Sequence, residues 1–401
     1  MTQRIKVLHI ITKLELGGAQ QNTLYTVEHL DKQHFDVYLA TGKGGILDNK
    51  AIELAARGKI KLFFVSDLVR EINPFKDFIC FIELFLLITS IKPDVVHTHS
   101  SKAGILGRWA TKFYNIFIGN FYHKKIKIIH TFHGFAFSKF HNFFVKIFYI
   151  VLEFFTGIIT DILIFVAKDN IKTARLYKIG FTRKYILIRS GIKIKEYYSV
   201  NDNIELKHSK KREFGIADDV RVITTIGAFK PQKNLSDFIH MVRKVCNILS
   251  EHKLQFIIVG DGEQRSKLVV LAKKLNVLNK IKFLSWYYDI RGLFAITDIF
   301  VMTSLWEGLP RAAVESLVSG VPVIAYAVDG LNDIIISGVN GFLIPPKDLN
   351  TMIEKVVLLL KNESLYKEIK KRTTQTIDNT FDIDYMVLQQ ENLLKLICGR
   401  R

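Results

Sequence analysis

The stretch Ser304 to Ala325, SLWEGLPRAAVESLVSGVPVIA, reads as a loop, a helix and a buried strand in succession. Pro310 suits the first helical position, where a missing N–H costs nothing. Gly320 suits the stop, where the backbone must leave helical space. Val321 to Ala325 is apolar and rich in β-branched residues, as expected of a strand covered on both faces. Glu307 then stands just ahead of a helix N-terminus, and Glu315 projects from inside the same helix. Free N–H groups and a partial positive charge at that end suit a phosphate, and a carboxylate beside it can grip sugar or ribose hydroxyls. An amphipathic helix with one capping glutamate fits the same letters, so the rest of the chain has to decide.

Outward from this stretch, buried strands and amphipathic runs alternate. Val7 to Ile11, Asp36 to Ala40, Lys61 to Val65, Val95 to Thr98, Lys127 to Thr131 and Ile162 to Val166 form one strand series. Val222 to Ile226, Gln255 to Val259, Lys282 to Leu284, Ile299 to Met302 and Val323 to Ala325 form a second. Runs such as Asn22 to Leu30 and Asn49 to Arg57 lie between strands. This alternation predicts an α/β protein with parallel sheets covered by helices on both faces. The two series are separated by the polar stretch Asn201 to Arg212, and 401 residues suffice for two domains. The expected boundary lies near Tyr197 to Glu213, giving domains at 1–198 and 213–380.

The net charge is +19, and it is uneven. Val95 to Leu152 carries eight Lys and Arg and no Asp or Glu. The same segment holds Phe113, Tyr114, Phe117, Phe121, Tyr122, Phe135, Phe137, Phe140, Phe143, Phe144, Phe148 and Tyr149. Cations with interfacial aromatic rings suit an anionic membrane surface; a lysine-rich composition with the aromatics in the core is the competing reading. Nucleic acid is not expected, because no helix-turn-helix, finger spacing or basic-aromatic RNA motif is present. Phe143 to Ala167 is interrupted by Lys146, Glu153 and Asp161, so it reads as a helix to Gly157 and then a strand, not a membrane span. Phe78 to Ile91 reads as a buried helix. Three separated cysteines (Cys80, Cys246, Cys398) suggest neither a disulfide framework nor a zinc site, and fit a reducing compartment. The start of the chain reads as strand one and not as a signal peptide.

Several loops carry candidate chemistry. Gly17-Gly18 follows the first strand and lets the backbone approach a diphosphate, although a tight turn explains it equally. It is not a dinucleotide fingerprint, since G-x-G-x-x-G and an acidic end to strand two are missing. Lys230 and Lys233 follow the first strand of the second series and can neutralise a diphosphate. His133 sits directly after a strand, where an open α/β sheet meets its ligand. His97 and His99 end another strand, with His97 and His130 read as structural. The spacing offers no chelating pair, so no metal is expected. Asp382-Ile383-Asp384 reads as a solvated helix face.

Taken together, E-G-L-P, a second Glu eight residues after the first, and S-G-V-P-V-I-A resemble the signature of the retaining nucleotide-sugar glycosyltransferases of family 4. The resemblance extends roughly from Ile5 to Pro346. It implies the GT-B fold: two Rossmann-like domains with parallel sheets facing each other across a cleft, and a last helix (Phe381 to Ile397, within about 381–401) crossing back to the first. It further implies that Glu307 contacts the transferred sugar, Glu315 the ribose hydroxyls, and Gly17 and Gly18 the donor diphosphate. Lys233 matches the family's lysine, but Ala228 stands where the family has arginine, and Lys230 is the candidate replacement. Lysine cannot copy a bidentate guanidinium. His133 matches the histidine beside the sugar and acceptor. Gly260 lies in the segment beneath the nucleotide, Trp286 in the part bordering the base, and Gly308 and Leu309 at the phosphate-facing helix start.

The implied reaction moves a sugar from a nucleotide-diphosphate sugar, a UDP-sugar foremost, to a hydroxyl with retention at the anomeric carbon. No cofactor or metal is implied beyond the donor itself. His133, Glu307 and Lys233 are the expected catalytic residues. A polyprenyl-diphosphate-linked saccharide would satisfy both the cations and the apolar surface as acceptor. The expected setting is therefore cell-surface polysaccharide assembly, peripheral on the cytoplasmic face of the plasma membrane. A sugar-nucleotide epimerase or phosphorylase on the same fold, or a non-catalytic membrane-associated protein, remain the alternatives; Ala228 favours the last.

Overall fold

Alternating buried strands and amphipathic helices build two parallel sheets in the computed structural model, which describes residues 4–121, 124–137, 140 and 142–399. Tyr122, counted above among the aromatics, lies outside the described residues. The chain divides into two units: residues up to Gly191 together with those from Ile383 onward, and Ile192–Asp382.

The first unit runs β1 (Ile5–Lys13), α1 (Gly18–His29), β2 (Phe35–Gly42), α2 (Asp48–Ala56), β3 (Lys61–Phe64), α3 (Pro74–Ile91) and β4 (Val95–His99). It continues through α4 (Ser101–Tyr114), β5 (Lys127–Phe132), α5 (Phe143–Ile159), β6 (Ile162–Phe165), α6 (Lys168–Leu176) and β7 (Tyr185–Leu187). Its sheet order is β3-β2-β1-β4-β5-β6-β7. The sequence did not reveal β7, a half-buried strand of three residues at the edge.

Strand alternation divides the side chains of this sheet between two cores. Val7, Ile11, Val95 and Ile129 pack with Leu24 and Val27 of α1. Leu8, Ile10 and Val96 pack instead with Cys80, Leu84 and Ile88 of α3 and with Ala103 and Ala110 of α4. His9, His97 and His99 therefore fall on the α1 face, and His130 on the other.

The second unit contains α7 (Ile194–Tyr197), α8 (Ile204–Glu213), β8 (Arg221–Ile226), α9 (Leu235–Ile248), β9 (Leu254–Val259), α10 (Arg265–Lys274) and β10 (Ile281–Leu284). Then follow α11 (Ile290–Ile296), β11 (Ile299–Met302), α12 (Arg311–Val318), β12 (Val323–Tyr326), α13 (Leu331–Ile334), β13 (Gly341–Ile344), α14 (Leu349–Lys361) and α15 (Glu363–Thr373). Its sheet order is β10-β9-β8-β11-β12-β13. The polar stretch that sequence reading put at the boundary forms α8, capped by Asn203, whose side chain accepts from Leu206 N–H. The final helix, α16 (Ile383–Ile397), belongs to the first unit, where Ile383, Met386 and Leu394 join the α1 core.

Three sequence expectations change. Pro310 is the N-cap of α12 and not its first residue; its extended backbone (ψ 108°) precedes Arg311. The run from Phe78 to Ile91 is not a buried helix. In α3 only Cys80, Leu84, Ile88 and Ile91 are buried, while Phe75, Phe78, Ile82 and Leu86 form an exposed apolar face. Asp384 is more than a solvated residue, because its carboxylate accepts from Tyr25 Oη at 2.5 Å and ties α16 to α1.

Candidate active site

In an open parallel sheet, ligands gather beyond the carboxyl ends of the strands where the strand order reverses. In the second unit that point lies between β8 and β11. The loop after β8 carries Gly227 to Asn234; the loop after β11 carries Thr303 to Pro310. The structure stitches them together: Leu305 N–H donates to Gln232 O at 2.9 Å. Gln232 Nε2 donates to Trp306 O at 2.7 Å, and Thr303 Oγ1 to Lys233 O at 2.9 Å. This brings Lys233 Nζ onto Glu307 Oε1, across 74 residues of chain. The lysine stem lies over Gly227, where an added Cβ would sit 3.1 Å from Lys233 Cδ and Cε. Glu307 is held in turn by its own N–H, which donates to Asp329 Oδ2 at 2.7 Å.

Gly260 has a role that the sequence motif did not reveal. Its φ of +136° belongs to glycine, and a Cβ there would meet Gly227 O at 2.1 Å. The loop after β9 is strapped to the loop after β8 by Gly227 N–H to Val259 O (2.9 Å) and Phe229 N–H to Asp261 O (2.8 Å). Phe229 is fully buried beneath it, so Lys230 on the next residue starts from a fixed base. Lys230 is half-buried and precedes the 3₁₀ turn that carries Lys233.

Glu307, Gly308 and Leu309 lead into α12, whose N-cap has no side chain partner for the first N–H groups. The backbone of Gly308 accepts from Gly330 N–H at 2.9 Å, fixing the loop from a second side. Glu315, one turn into α12, is buried and accepts from Arg311 Nη2 at 3.2 Å. Burial raises its carboxyl above the usual carboxylate range, and the Arg311 guanidinium opposes that shift. Helical i,i+4 spacing could have paired Arg311 with Glu315 in the sequence; the contact of Asp329 with the Glu307 backbone had no such signal. Trp286 is half-buried after β10, at the outer edge of this sheet. Its neighbour Tyr287 donates to Glu213 at 3.2 Å and packs edge-on against Phe214, so Tyr287 is a packing residue.

In the first unit the strand order reverses between β1 and β4. Gly17 is the extended N-cap of α1 (φ −164°), and Gly18 opens the helix, again with no capping side chain. The strands of this sheet also carry a group of imidazoles. His9 pairs in register with His97 across β1 and β4. His9 Nδ1 lies 3.1 Å from His99 Nε2, and His99 Nδ1 lies 3.2 Å from His133 Nε2. His97 Nε2 meets Thr131 Oγ1 at 2.8 Å, and His130 Nδ1 meets Thr98 Oγ1 at 2.9 Å. Burial lowers the pKa of His9 to about 3 and of His133 to about 4, and holds His97, His99 and His130 well below 6.5. All five are neutral at pH 7, so His133 offers a hydrogen bond and not a charge. His9 was missed from sequence because it sits mid-strand in an apolar run.

The first unit also exposes an apolar face. On α5, Phe144, Phe148, Val151, Phe155 and Ile158 recur at helical spacing and are all exposed. Exposed Phe113 and Phe117 lie at the end of α4 and just beyond it. Phe113 packs edge-on against Phe81 of α3, and α4 packs on both α3 and α5. Of the two charged residues that break the apolar run of α5, Lys146 and Glu153, the glutamate is buried and bound by Arg108 of α4 at 2.7 Å. An apolar groove of about 410 Å³ shares Val151 and Phe155 with this face and is lined further by Ile150, Phe154, Leu176, Tyr177 and Lys178. Among the described residues no helix is long and apolar enough to cross a membrane.

Comparison with known proteins agrees with this construction. Residues 16–182 match the pattern described as Glycosyltransferase Family 4, and residues 207–376 that of Glycosyl transferases group 1. The UDP-Gal:alpha-D-GlcNAc-diphosphoundecaprenol alpha-1,3-galactosyltransferase of Escherichia coli is 30% identical over 95% of this chain and 94% of its own. The capsular polysaccharide biosynthesis glycosyltransferase CapM of Staphylococcus aureus is 23% identical over 94% and 93%. The crystal structure of Anabaena HepE in complex with UDP and glucose superposes with a TM-score of 0.80 at 17% identity, over 98% of this chain and all of that one. On these matches, and on its two parallel Rossmann-like sheets, the chain belongs to glycosyltransferase family 4, with the GT-B fold.

Proposed function

We propose that this transferase moves a sugar from a UDP-sugar to a polyprenyl-diphosphate-linked saccharide, with retention at the anomeric carbon, in bacterial surface-polysaccharide assembly. The observation that carries the reading is the meeting of Lys233 with Glu307 at the strand-order reversal, next to the uncapped start of α12. Bond cleavage between sugar and diphosphate develops negative charge on the leaving group. Lys233, Lys230 and the N–H groups from Leu309 into α12 supply preorganised positive potential for it. As the diphosphate takes over Lys233, Glu307 is released to accept from sugar hydroxyls. Glu315 accepts from the ribose hydroxyls, Trp286 borders the base, and Gly260 holds the floor of the nucleotide site. His133 orients sugar and acceptor. In this reading the departing diphosphate takes the acceptor proton on the face it leaves, and no covalent intermediate is invoked. This chemistry needs no cofactor or metal.

The acceptor reading rests on the apolar face of α3, α4 and α5 and on the lipid-linked substrate named for the Escherichia coli relative. Contiguous apolar surface of this kind marks membrane or partner contact, and the nearby cations favour anionic lipid on the inner face of the plasma membrane. The test is calorimetric titration with UDP, GDP and ADP, followed by NMR of the product's anomeric proton with the preferred sugar donor. Tightest binding of UDP and an axial linkage from an axial donor support the proposal; an inverted product overturns it.

A further inference from the structure

We propose that Asp329 and Gln232 are positioning residues that grip one peptide group, Trp306–Glu307, at both ends and so fix the direction in which Glu307 enters the donor site. The inference rests on the proposed role of Glu307 for its consequence in catalysis. The two poles of this peptide are held by side chains from different loops. Its carbonyl, Trp306 O, accepts from Gln232 Nε2 at 2.7 Å, and its N–H, on Glu307, donates to Asp329 Oδ2 at 2.7 Å. In a trans peptide the carbonyl and the N–H point in opposite directions, so the two grips lie on opposite sides of the chain. Turning the peptide breaks both bonds at once, and the one to the carboxylate is of the stronger, charge-assisted kind. With the peptide plane held, the Cα–Cβ bond of Glu307 has a fixed direction too.

Both grips stand on fixed bases. Gln232 O accepts from Leu305 N–H at 2.9 Å, so the glutamine side chain need reach only one residue further along the same loop. On the other side, Gly330 N–H donates to Gly308 O at 2.9 Å, and a Cβ on Gly330 would lie 2.1 Å from that oxygen. The turn after β12 therefore rides directly on the loop that carries Glu307. Within this turn Asp329 has a φ of +41°, in the left-handed region that glycine enters freely and other residues rarely occupy. Aspartate tolerates that region, but backbone geometry alone favours glycine. What aspartate adds to glycine is the carboxylate that meets Glu307 N–H. Its charge also works against an anionic diphosphate at the nearby start of α12. Two effects thus oppose aspartate at this position, and the hydrogen bond to Glu307 is the gain that offsets them.

Three variants of the full chain separate these contributions. Asp329→Gly removes the carboxylate and relaxes the backbone, Asp329→Asn keeps an acceptor oxygen without the charge, and Gln232→Met keeps the length without the donor. Asp329→Gly and Gln232→Met should each lower kcat about ten- to a hundred-fold, as expected when a reacting group is misplaced. Calorimetric UDP affinity should hold, since UDP lacks the sugar that Glu307 meets, and Asp329→Asn should keep kcat within about three-fold of wild type. In a Glu307→Ala background, with residual turnover measured at high enzyme concentration, neither Asp329→Gly nor Gln232→Met should lower kcat further. A purely structural role would lower it in both backgrounds. Undiminished kcat in Asp329→Gly, a loss of equal size in the Glu307→Ala background, or Asp329→Asn as impaired as Asp329→Gly overturns the proposal. Hydrogen exchange on ¹⁵N-glutamate-labelled protein, with Glu307→Ala to assign the signal, tests the grip without substrate. The Glu307 amide should exchange about ten-fold faster or more in Asp329→Gly than in wild type. An amide as fast as an unprotected peptide in wild type overturns the grip while the transferase reading stands; full turnover in Glu307→Ala overturns the role of Glu307 and leaves the exchange result to decide the grip.

Discussion

Lowering the pH from 7.5 to 5.5 should destabilise the first unit and leave the second nearly unchanged. His9, His97, His99 and His130 are at most 3% exposed, and burial depresses their pKa values, in the case of His9 to about 3. Unfolding returns each to about 6.5, so between the folded and unfolded values the unfolded chain binds more protons. Stability is then fully present above pH 6.5 and is lost as pH falls toward the folded pKa. At pH 5.5 each unfolded imidazole sits one unit below its pKa, which costs the fold about 1.4 kcal/mol per group. His9 alone gives that amount, and four groups that all stay neutral give about 6 kcal/mol. In a unit of this size 1 kcal/mol moves Tm by about 2–4 °C, so the loss should be at least about 3 °C. The second unit has no such group: His208 is half-exposed beside Asp218, and His240 and His252 are exposed. Trp109 reports on the first unit, and Trp286 and Trp306 on the second. Fluorescence-detected unfolding of Trp286→Phe/Trp306→Phe therefore isolates the first unit, and Trp109→Phe the second. His9→Leu should shrink the pH effect by about 1.4 kcal/mol. A first unit equally stable at both pH values would refute the reasoning, because the histidines would then be charged or hydrated in the folded state.

Other substitutions probe the donor and membrane surfaces. Lys233→Ala should lower kcat by about 10²–10³, the usual loss when one stabilising donor is removed from a developing oxyanion; steady-state kinetics showing only a raised KM would contradict that role. Glu315→Ala should weaken UDP binding by about 1.5–3 kcal/mol in calorimetry. Because Arg311 loses this carboxylate in the variant, Arg311→Ala and the double variant must accompany it, and full additivity would deny the coupling. Phe144→Ser with Phe148→Ser should reduce flotation with anionic liposomes at least ten-fold, each exposed ring contributing about 1.5 kcal/mol or more on burial; unchanged flotation would remove this face from the membrane contact. Gly260→Ala should cost stability in the second unit, since its Cβ would strike Gly227 O; an unchanged Tm would show that the loops can part.

Much of this was legible in the sequence because strands covered on both faces write themselves as apolar runs. β1, β4, β5, β8, β9 and β11 were readable for that reason. β7 and β13 were not: each is a short edge strand, half-buried, and β13 opens on Gly341. The Lys233 and Glu307 pair was visible only as two separate motifs. Their meeting depends on β8 and β11 being neighbours, which the strand order supplies and local spacing cannot. The exposed face of α3 was misread because its apolar residues occupy both sides of the helix, so periodicity could not say which side was covered. His9 carried no signal, since a histidine inside an apolar strand looks like an interruption until His97 is placed beside it by the register.

The central claim is transfer from a nucleotide sugar to a lipid-linked acceptor. It is tested most directly by nucleoside-diphosphate release from a panel of UDP-, GDP- and ADP-sugars, with and without polyprenyl-diphosphate-linked saccharides, beside Lys233→Ala. The account predicts release from a UDP-sugar that rises when the acceptor is added and is lost in the variant. Formation of a free epimeric sugar nucleotide without acceptor, or silence across the panel from folded protein that binds no donor, would contradict it.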